Sequence, residues 1–370
     1  MKIAIIGQKG IPAKDGGVET HVENLAVNLV KMGQEVLVYN RINYRPEKLN
    51  SYKGVKIINL PTIGTKHLDA ITHTFLSICS LTFKKVDVIH IHSIGPANLT
   101  WLIKLLKPKT PIVFTFHCQD YYHQKWNGFA RWVLRTGEKI GHKYAQEIIA
   151  VSHSLRDYSH RRYNRTSVYI PNAVNIIEPL PANIIEKQWG LKKDNYIVAI
   201  SRLVKHKGLH HLIKAYKQAN TDKKLVIVGG SSHTDRYVNF LHELAGDDKN
   251  IIFTDKQADN TLKELFSNAY LFVQPSEEEG LSISLLEAMS YGKACLVSDI
   301  PANLEGIAET GISFKNKDIN DLKNKLEKLF HNPELVNSLE NKAKARIKSK
   351  FLWEEVTKEI LDTYKQATKK

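Results

Sequence analysis

The chain contains 370 residues, a length typical of two or three domains, and its composition (42% hydrophobic, 25% charged) excludes a disordered chain, a collagen and a disulfide scaffold. The net charge is +15, and most of this excess lies in residues 1–180, with 24 Lys and Arg against 12 Asp and Glu. We therefore expect the first half of the chain to meet an anionic partner, such as nucleic acid, a phosphorylated compound or an anionic membrane.

The first half of the chain alternates apolar strands with helices of amphipathic spacing. An amphipathic helix is predicted over residues 21–32, ending at Gly33. Buried strands are predicted at 2–6, 35–39, 86–92 and 111–117. This alternation is typical of βαβ units and a parallel sheet.

A second cycle of the same kind follows residues 171–181, a proline-containing stretch with little periodicity. Strands are predicted at 196–201, 225–229, 251–254, 271–274 and 294–297, with helices between them. We therefore expect two α/β domains, over residues 1–175 and 176–350, followed by an amphipathic helix over 351–370. Open α/β sheets bind ligands at the carboxyl ends of their strands, so two such sheets facing each other would place one site in the cleft between them.

Cysteine usage and the lack of a targeting signal favour a cytoplasmic protein. Cys79, Cys118 and Cys295 are odd in number and far apart, so we expect free thiols rather than a disulfide or a zinc site. The apolar run at the start is too short for a signal peptide. The apolar stretch at 70–83 is too short to span a bilayer and predicts a buried core helix.

The most informative segment is 274–299, where a buried strand leads into a loop and then a helix. The loop contains Glu279, and the helix begins near Ser282, where free backbone N–H groups and the helix dipole would bind phosphate or sugar oxygens. Glu287 lies two turns into this helix, on the side facing the loop, among apolar neighbours. A carboxylate there needs donors such as sugar or ribose hydroxyls, unless it is a solvated helix residue.

The run EGLSISLLE at 279–287, with its flanks PSEEEG and LLEAMSYG, resembles the E-x7-E element of the retaining nucleotide-sugar glycosyltransferases of family 4. The resemblance extends along the whole chain. It implies the α/β GT-B fold, with two Rossmann-like doubly wound parallel-sheet domains facing across a cleft. The first domain would bind the acceptor and the second the nucleotide sugar, and the C-terminal helix would cross back to the first domain.

The same resemblance assigns roles within the second domain. It implies that Glu287 binds the ribose hydroxyls of the donor and that Glu279 lies near the donor sugar. The other donor-binding positions that it implies in these loops are Gly229, Gly280, Leu281 and Ser282.

A pair of cations precedes a predicted helix in the second domain. The segment at 201–208 resembles the family element G-R-L-x-x-x-K-G, with Ser201 in place of its first glycine. The resemblance implies that Arg202 and Lys207 hold the diphosphate, where negative charge develops as the sugar leaves. The alternative is that both are ordinary surface cations.

The glycine loop at 14–19 resembles the N-terminal loop of the family, which opens toward the donor diphosphate and the acceptor. Gly16 and Gly17 would let the backbone approach a ligand closely, although an ordinary turn is the alternative. The loop has no G-x-G-x-x-G pattern, and the second strand ends without an acidic residue for a ribose. A dehydrogenase is therefore disfavoured.

The segment 114–120 resembles the family's T-x-H-G-x-D sequence, with Cys118 in place of the glycine. The resemblance implies that His117 contacts the donor sugar and that Asp120 lies near the phosphate and the acceptor. Packing of His117 in the core or on the surface is the alternative. His90 and His92 could form a metal pair, but we expect no metal and no cofactor, because the family enzymes need none.

Cations cluster on the helices predicted in the first domain. They are Lys104, Lys107, Lys109, Lys125, Arg131, Arg135, Lys139 and Lys143. Arg131, Arg135 and Lys139 are spaced four apart and share one helix face, with Trp132 among them. Such a face suits an anionic membrane, and the alternative is a solvated cationic face whose tryptophans belong to the core.

The sequence therefore predicts a metal-independent hexosyltransferase that moves a sugar from a UDP- or GDP-type nucleotide sugar to a glycan or lipid-linked acceptor, with retention. The segments at 66–74 and 124–132 resemble those of a bacterial subgroup that builds surface polysaccharides. The basic helix face of the first domain favours a peripheral position on the inner face of the cell membrane. One alternative is an epimerase or phosphorylase on the same fold. The other is a nucleic-acid-binding protein, for which the sequence shows no motif.

Overall fold

The computed structural model describes residues 1–44, 47–65, 68–122, 126–232 and 234–369. Parts of the segments 66–74 and 124–132, Lys125 among them, lie outside the described residues. The chain divides into two compact units. Unit 1 consists of Met1–Ala173 with Trp353–Lys370, and unit 2 consists of Val174–Leu352.

Unit 1 is built on a sheet that has eight strands among the described residues, in the order β3-β4-β2-β1-β5-β6-β7-β8. The strands are β1 (Lys2–Ile6), β2 (Glu35–Arg41), β3 (Ser51–Tyr52), β4 (Val55–Leu60), β5 (Val88–His92), β6 (Ile112–Phe116), β7 (Glu147–Ala150) and β8 (Val168–Tyr169). All neighbours pair in parallel except β3 with β4. The central strands β5 and β6 are buried along their whole length, and they are apolar except for His90, His92 and Thr115.

Six helices of unit 1 precede the chain's passage into unit 2 in the described residues. They are α1 (Gly17–Lys31), α2 (Asp69–Thr82), α3 (Ile94–Ala97), α4 (Thr100–Leu106), α5 (Gly128–Tyr144) and α6 (His153–Tyr163). Helix α1 begins at Gly17, four residues before the predicted start at His21, because the glycine pair ends the loop rather than continuing it.

The prediction of a buried core helix at 70–83 is wrong in one respect. The stretch forms α2, and Thr74, Ser77 and Ile78 are buried on its inner face. Phe75, however, is 48% exposed, and Phe83 at the end of the helix is 89% exposed. Apolar content alone does not distinguish a helix buried all round from one that buries a single face.

Unit 2 is built on a sheet that has six strands in the part of the chain described here, all parallel, in the order β11-β10-β9-β12-β13-β14. The strands are β9 (Tyr196–Ile200), β10 (Lys224–Val228), β11 (Ile251–Phe253), β12 (Leu271–Gln274), β13 (Ala294–Ser298) and β14 (Ile312–Phe314). The helices are α7 (Ile184–Trp189), α8 (Leu209–Tyr216), α9 (Asp235–Ala245), α10 (Asp259–Ser267), α11 (Ile283–Ser290), α12 (Pro301–Ile307), α13 (Ile319–Phe330) and α14 (Pro333–Lys350).

The strand order determines where each unit can bind a ligand. In unit 2 the chain winds from β9 outward through β10 to β11, and then returns to the other side of β9 as β12. In unit 1 the strands β1, β2, β4 and β5 follow the same course. Ligands bind where the winding reverses, at the carboxyl ends of the strands, so the loops after β1, β5, β9 and β12 are the natural places for a site.

The C-terminal helix α15 (Trp353–Lys369) belongs to unit 1 and packs against α1. Its residues Trp353, Val356, Ile360 and Tyr364 are buried in the same core as the strands β1 and β2. All three cysteines are free, as expected. None of the described helices is long and apolar enough to cross a membrane.

Candidate active site

In unit 2 the loops that follow β9 and β12 are held together by a close backbone contact. Gly208, at φ +68°, lies so near the other loop that a Cβ on it would be 1.9 Å from the carbonyl oxygen of Pro275. The backbone N–H of Glu277 also donates a hydrogen bond to the carbonyl of His206 at 2.7 Å. These contacts bring the 201–208 element beside the E-x7-E loop, although about 70 residues separate the two in sequence.

Lys207 and Glu279 form an ion pair across these loops. Their side chains are largely buried, with 14% and 10% of their surface exposed. Arg202 lies on the same loop as Lys207, is exposed, and makes no side-chain hydrogen bond or ion pair with the described residues. The site therefore combines one free guanidinium with one ammonium group that is already paired with a carboxylate.

The loop from Glu279 leads directly into α11. Ser282 is the N-cap of α11, and its Oγ accepts a hydrogen bond from the backbone N–H of Leu285 at 3.4 Å. Gly280 and Leu281, immediately before the cap, are buried. The free backbone N–H groups in the first turn are suited to anionic or hydroxyl oxygens of a ligand.

Glu287 lies one turn from the end of α11, between Leu286 and Ala288, which are both fully buried. The residue as a whole is partly exposed, and its carboxylate accepts no hydrogen bond from the described residues. Burial raises the pKa of Glu287 to about 7. A desolvated carboxylate without donors is a group that a ligand's hydroxyls would stabilise.

Gly229 joins a third loop to this edge of the sheet. A Cβ on Gly229 would lie 1.8 Å from the carbonyl oxygen of Ser201, so the loop after β10 contacts the loop after β9 through bare backbone. The N–H of Leu203 donates to the carbonyl of Gly230 at 3.0 Å. The residues predicted to bind the donor in this domain thus lie in the loops that follow β9, β10 and β12, except Glu287, which lies in the helix α11 that follows the last of these loops.

A second cluster near this loop was not predicted from the sequence. Glu277 pairs with Lys317 at 3.0 Å and with His211 Nε2 at 3.3 Å. Burial raises the pKa of Glu277, but the hydrogen bonds and charges of Lys317 and His211 outweigh it and hold that pKa below its usual value. This cluster ties the loop to α8, so Glu277 and Glu279 have separate partners.

In unit 1 the glycine loop after β1 is closed by Glu19. Gly16, at φ +96°, is the N-cap of α1, and a Cβ on it would lie 2.1 Å from Oε2 of Glu19. The other oxygen of Glu19 accepts from the backbone N–H of Lys9 at 3.0 Å. Gly17, the first residue of α1, is exposed. The loop is therefore fixed by a buried carboxylate while its tip stays open to solvent.

His117 follows β6 and joins a buried group of histidines. Its Nε2 lies 2.9 Å from Nδ1 of His92, which is the last residue of β5. The ring of His21, on the second turn of α1, lies 5.0 Å from the ring of His117, and its Nδ1 is 3.0 Å from Oδ1 of Asn172. The sequence singled out His92 and His117 but not His21, whose only signal was its place just after the glycine loop.

These imidazoles are held in the neutral form. Burial, together with the neighbouring histidines, lowers the pKa of His92 and of His117 well below the usual value, and burial lowers the pKa of His21 to about 4. His90 is fixed from two sides, by Tyr364 Oη at 2.7 Å and Thr115 Oγ1 at 2.6 Å. A neutral imidazole at His117 would offer a hydrogen bond rather than a charge.

Two groups of described side chains have atoms close enough to hold a metal ion. They are His21, His92 and His117 in unit 1, and His210, His211 and Glu277 in unit 2, with ligand atoms within 4.8 Å of one another in each group. In unit 1 two of the nitrogens already share a hydrogen bond, and in unit 2 the carboxylate is already paired with Lys317.

Asp120 begins the short turn that follows His117. Its Oδ1 accepts a hydrogen bond from the Sγ of Cys118 at 3.1 Å. The cysteine that stands where the family has glycine is thus used to orient this carboxylate. His21 lies on the same helix as Gly17, and its ring contacts the ring of His117. The predicted residues of unit 1 therefore lie in the segments that follow the carboxyl ends of β1 and β6.

Two family models match consecutive parts of the chain. The model of glycosyltransferase family 4 matches residues 15–177, and the model of glycosyl transferases group 1 matches residues 182–346. The chain belongs to the family 4 glycosyltransferases. The family predicted from the EGLSISLLE run is thereby confirmed.

The relatives of this glycosyltransferase are distant. It is 25% identical to an uncharacterized glycosyltransferase of Methanocaldococcus jannaschii, over 99% of this chain and 98% of the relative. It is 28% identical to the O-antigen chain mannosyltransferase RfbU of Salmonella typhimurium, over 65% of each chain. It is 26% identical, over 58% of each chain, to the N,N'-diacetylbacillosaminyl-diphospho-undecaprenol alpha-1,3-N-acetylgalactosaminyltransferase of Campylobacter jejuni.

Solved structures show the fold of this family 4 glycosyltransferase. Sucrose-phosphate synthase of Thermosynechococcus elongatus matches with a TM-score of 0.85 at 20% identity, over 99% of this chain and 98% of the other. Anabaena HepE in complex with UDP and glucose matches with a TM-score of 0.82 at 18% identity, over 99% and 100%. The glycosyltransferase has the GT-B fold, and the predicted fold class is confirmed.

Proposed function

We propose that this glycosyltransferase transfers a hexose from a UDP- or GDP-type nucleotide sugar to a glycan or lipid-linked acceptor, with retention of configuration, in the synthesis of cell-surface polysaccharide. The observation that carries the proposal is the edge of the unit 2 sheet. There Arg202 and the Lys207–Glu279 ion pair lie in loops joined by backbone contacts, and Glu287 lies in the helix that follows. Neither the Arg202 guanidinium nor the Glu287 carboxylate is paired with any of the described residues. A nucleotide diphosphate sugar has the complementary groups: phosphates for the cations and ribose hydroxyls for the carboxylate.

Each residue has a distinct role in this proposal. Glu287 accepts the ribose hydroxyls, and Arg202 and Lys207 bind the diphosphate, with Arg202 as a fork and Lys207 as a point charge. Both cations stabilise the charge that develops on the diphosphate as the sugar leaves. Because these side chains supply the positive charge, we propose that transfer needs no metal ion and no other cofactor.

The sugar itself is positioned by a second set of groups. Glu279 and the backbone N–H groups of the loop up to Ser282 bind its hydroxyls, and His117 contacts it as a neutral imidazole. We propose that the acceptor hydroxyl attacks from the face that the nucleotide leaves. The leaving phosphate then accepts the proton of that hydroxyl, so the configuration at the sugar carbon is retained.

We base the proposed acceptor and cellular location on the charge of unit 1 and on the relatives' names. RfbU acts on O-antigen chains, and the Campylobacter jejuni enzyme acts on a sugar linked to diphospho-undecaprenol. We propose that unit 1 of this protein binds a similar lipid-linked acceptor, close to Gly16, Gly17 and Asp120. The excess of cations in the first half of the chain would hold the protein on the cytoplasmic face of an anionic membrane.

A thermal-shift screen with UDP, GDP, ADP and TDP and their sugars tests the donor. The true donor should give the largest rise in Tm, since a ligand at 100 times its Kd stabilises the folded state by about 2.7 kcal/mol. Transfer in the presence of EDTA and the anomeric configuration of the product then test the mechanism. The absence of a shift with every nucleotide, or conversion of the donor without any acceptor, would contradict the proposal.

A further inference from the structure

Exposed apolar side chains are concentrated in one stretch of the chain within unit 1. Ten of the thirteen large hydrophobic side chains that are exposed in the described residues lie between residues 63 and 132. The most exposed on helices are Phe129 at 73%, Leu105 at 67% and Trp132 at 62%, and Trp101 is 43% exposed. Soluble monomers seldom gather such residues without a partner, so this concentration indicates an interaction surface.

The four side chains lie as two pairs on two helices that pack against each other. Trp101 and Leu105 are four residues apart on α4, and Phe129 and Trp132 are three apart on α5, so each pair lies on one side of its helix. Helix α4 packs against α5. The rings of Phe129 and Trp132 are stacked, with centroids 5.9 Å apart. We call Trp101, Leu105, Phe129 and Trp132 the apolar face.

Exposed cations continue the apolar face along α5. Arg135, Lys139 and Lys143 follow Trp132 at helical spacing, and all three are exposed. The two helices contain one carboxylate, Glu138, which is fully buried and accepts hydrogen bonds from Tyr158 and Tyr163 at 2.9 and 2.6 Å. The exposed charges of α4 and α5 are therefore all positive in the part of the chain that the structure describes.

We propose that the apolar face docks on an anionic lipid bilayer, with its aromatic rings inserted at the headgroup boundary and Arg135, Lys139 and Lys143 at the lipid phosphates. Tryptophan and phenylalanine beside basic residues are the side chains favoured at that depth. A second copy of this chain fits less well, because a two-fold contact would bring the same cations against each other. The inference rests on the proposed function, since a lipid-linked acceptor lies in that membrane.

The salt dependence of vesicle binding should distinguish two contributions, the attraction of the cations to the lipid and the insertion of the aromatic rings. Each cation near the lipid is worth about fivefold in partitioning, and this attraction is screened at physiological ionic strength beyond about 8 Å. Each inserted aromatic ring is worth about tenfold or more, and its burial does not depend on salt. Docking by insertion therefore predicts residual binding at high salt, whereas attraction by charge alone predicts none.

Co-sedimentation of the full chain with vesicles tests the proposal. The vesicles are phosphatidylcholine alone or with about one third phosphatidylglycerol. We expect F129Q/W132Q to bind the anionic vesicles about 100-fold more weakly than the unchanged protein at every salt concentration. The variant R135Q/K139Q should lose binding mainly at low salt. F240Q is the control, because Phe240 is an exposed aromatic residue of unit 2.

The outcomes separate the docking surface from the catalytic proposal. F129Q/W132Q should keep the nucleotide-induced Tm shift of the unchanged protein, so loss of vesicle binding with that shift intact supports the surface. Equal vesicle binding by F129Q/W132Q and the unchanged protein would overturn it. The proposal would also be overturned if the unchanged protein binds no vesicles and forms a dimer in sedimentation velocity that F129Q/W132Q does not form. Failure of every nucleotide to shift the Tm would refute only the proposed function.

Discussion

Lys207 donates a hydrogen bond to Glu279 across the loops that follow β9 and β12, and this ion pair joins the two elements that were predicted to bind the donor. The ammonium group is thus compensated before any ligand arrives. A diphosphate must therefore share or replace a carboxylate partner at Lys207, whereas the Arg202 side chain has no such partner among the described residues.

Removing either cation should lower the rate of transfer. Arg202→Ala or Lys207→Ala removes a charge-assisted hydrogen bond worth about 1.5–3 kcal/mol, or roughly tenfold to 150-fold in kcat/KM. Lys205→Ala is the matched control, because Lys205 is an exposed cation of the same turn. Unchanged kcat/KM in both variants, measured with saturating acceptor, would contradict the assignment of the diphosphate to this loop.

Replacing the carboxylate of the pair should separate binding from turnover. Glu279→Gln leaves Lys207 uncompensated, so we expect a nucleoside diphosphate alone to bind as tightly as before or several-fold more tightly. Transfer should fall about tenfold or more, since a charge-assisted hydrogen bond to the sugar is lost. Calorimetry with the diphosphate and kinetics with the full donor give the two numbers. Weaker diphosphate binding would show that the carboxylate supports the loop rather than the sugar.

Glu287 should link donor binding to pH. In the free protein burial raises its pKa to about 7, so it is partly protonated near neutrality. Ribose hydroxyls donate to the charged carboxylate and lower that pKa in the complex, so binding releases a proton below pH 7. Affinity should therefore rise with pH up to about 7, by as much as tenfold per pH unit, and level off above it.

Calorimetry in buffers of different ionisation enthalpy measures this proton release directly. Glu287→Gln should bind the nucleotide more weakly at pH 8, and its affinity should no longer depend on pH in this range. A proton release that persists in Glu287→Gln would assign the linkage to another group.

The hydrogen bond between His92 and His117 should affect catalysis without affecting nucleotide affinity. His92→Ala leaves a buried nitrogen of His117 without its partner at 2.9 Å, which costs about 1–3 kcal/mol and lets the ring turn. We expect kcat to fall about tenfold or more while the Kd for the nucleotide is unchanged. His92→Asn, whose side chain can keep a hydrogen bond, should restore part of kcat, and a purely structural role would not produce this difference.

The sequence did not predict β3, β4, β7, β8 and β14. It predicted nine other strands closely, because buried parallel strands are mostly apolar along their length. Positions such as Arg202, Lys207 and Glu279 could be placed at strand ends for the same reason. The pairing of Lys207 with Glu279 could not be predicted, because their contact depends on β9 lying beside β12. Strand order is a property of the whole sheet and leaves no local pattern.

The features that the sequence analysis missed also leave no local pattern in the sequence. His21 joins His117 only because α1 and β6 approach the same end of their sheet, and nothing around His21 in the sequence indicates it. The exposure of Phe75 was missed because apolar content does not show on which side a helix is covered. The binding of Glu277 by His211 and Lys317 was missed because no local pattern indicates which distant residues a loop carboxylate contacts.

Gly208 should be far less replaceable than a glycine of similar backbone conformation elsewhere. Gly208 and Gly33 both have left-handed backbones, at φ +68° and +77°, and alanine costs roughly 1–2 kcal/mol at either position from that conformation alone. At Gly33 nothing lies within 4 Å of the added Cβ, so Gly33→Ala should show only this cost. At Gly208 the Cβ would be 1.9 Å from the carbonyl oxygen of Pro275, so one loop must move.

That movement would separate Lys207 from Glu279, because both flank the contact. We therefore expect Gly208→Ala to lower the Tm more than Gly33→Ala and, unlike it, to lower kcat/KM about tenfold or more, as loss of the aligned cation would. Thermal unfolding and donor kinetics on the two variants check this. If Gly208→Ala and Gly33→Ala lose the same Tm and have the same kcat/KM, the loops are not held together at Gly208. The proposal that these loops form one site in unit 2 would then be wrong.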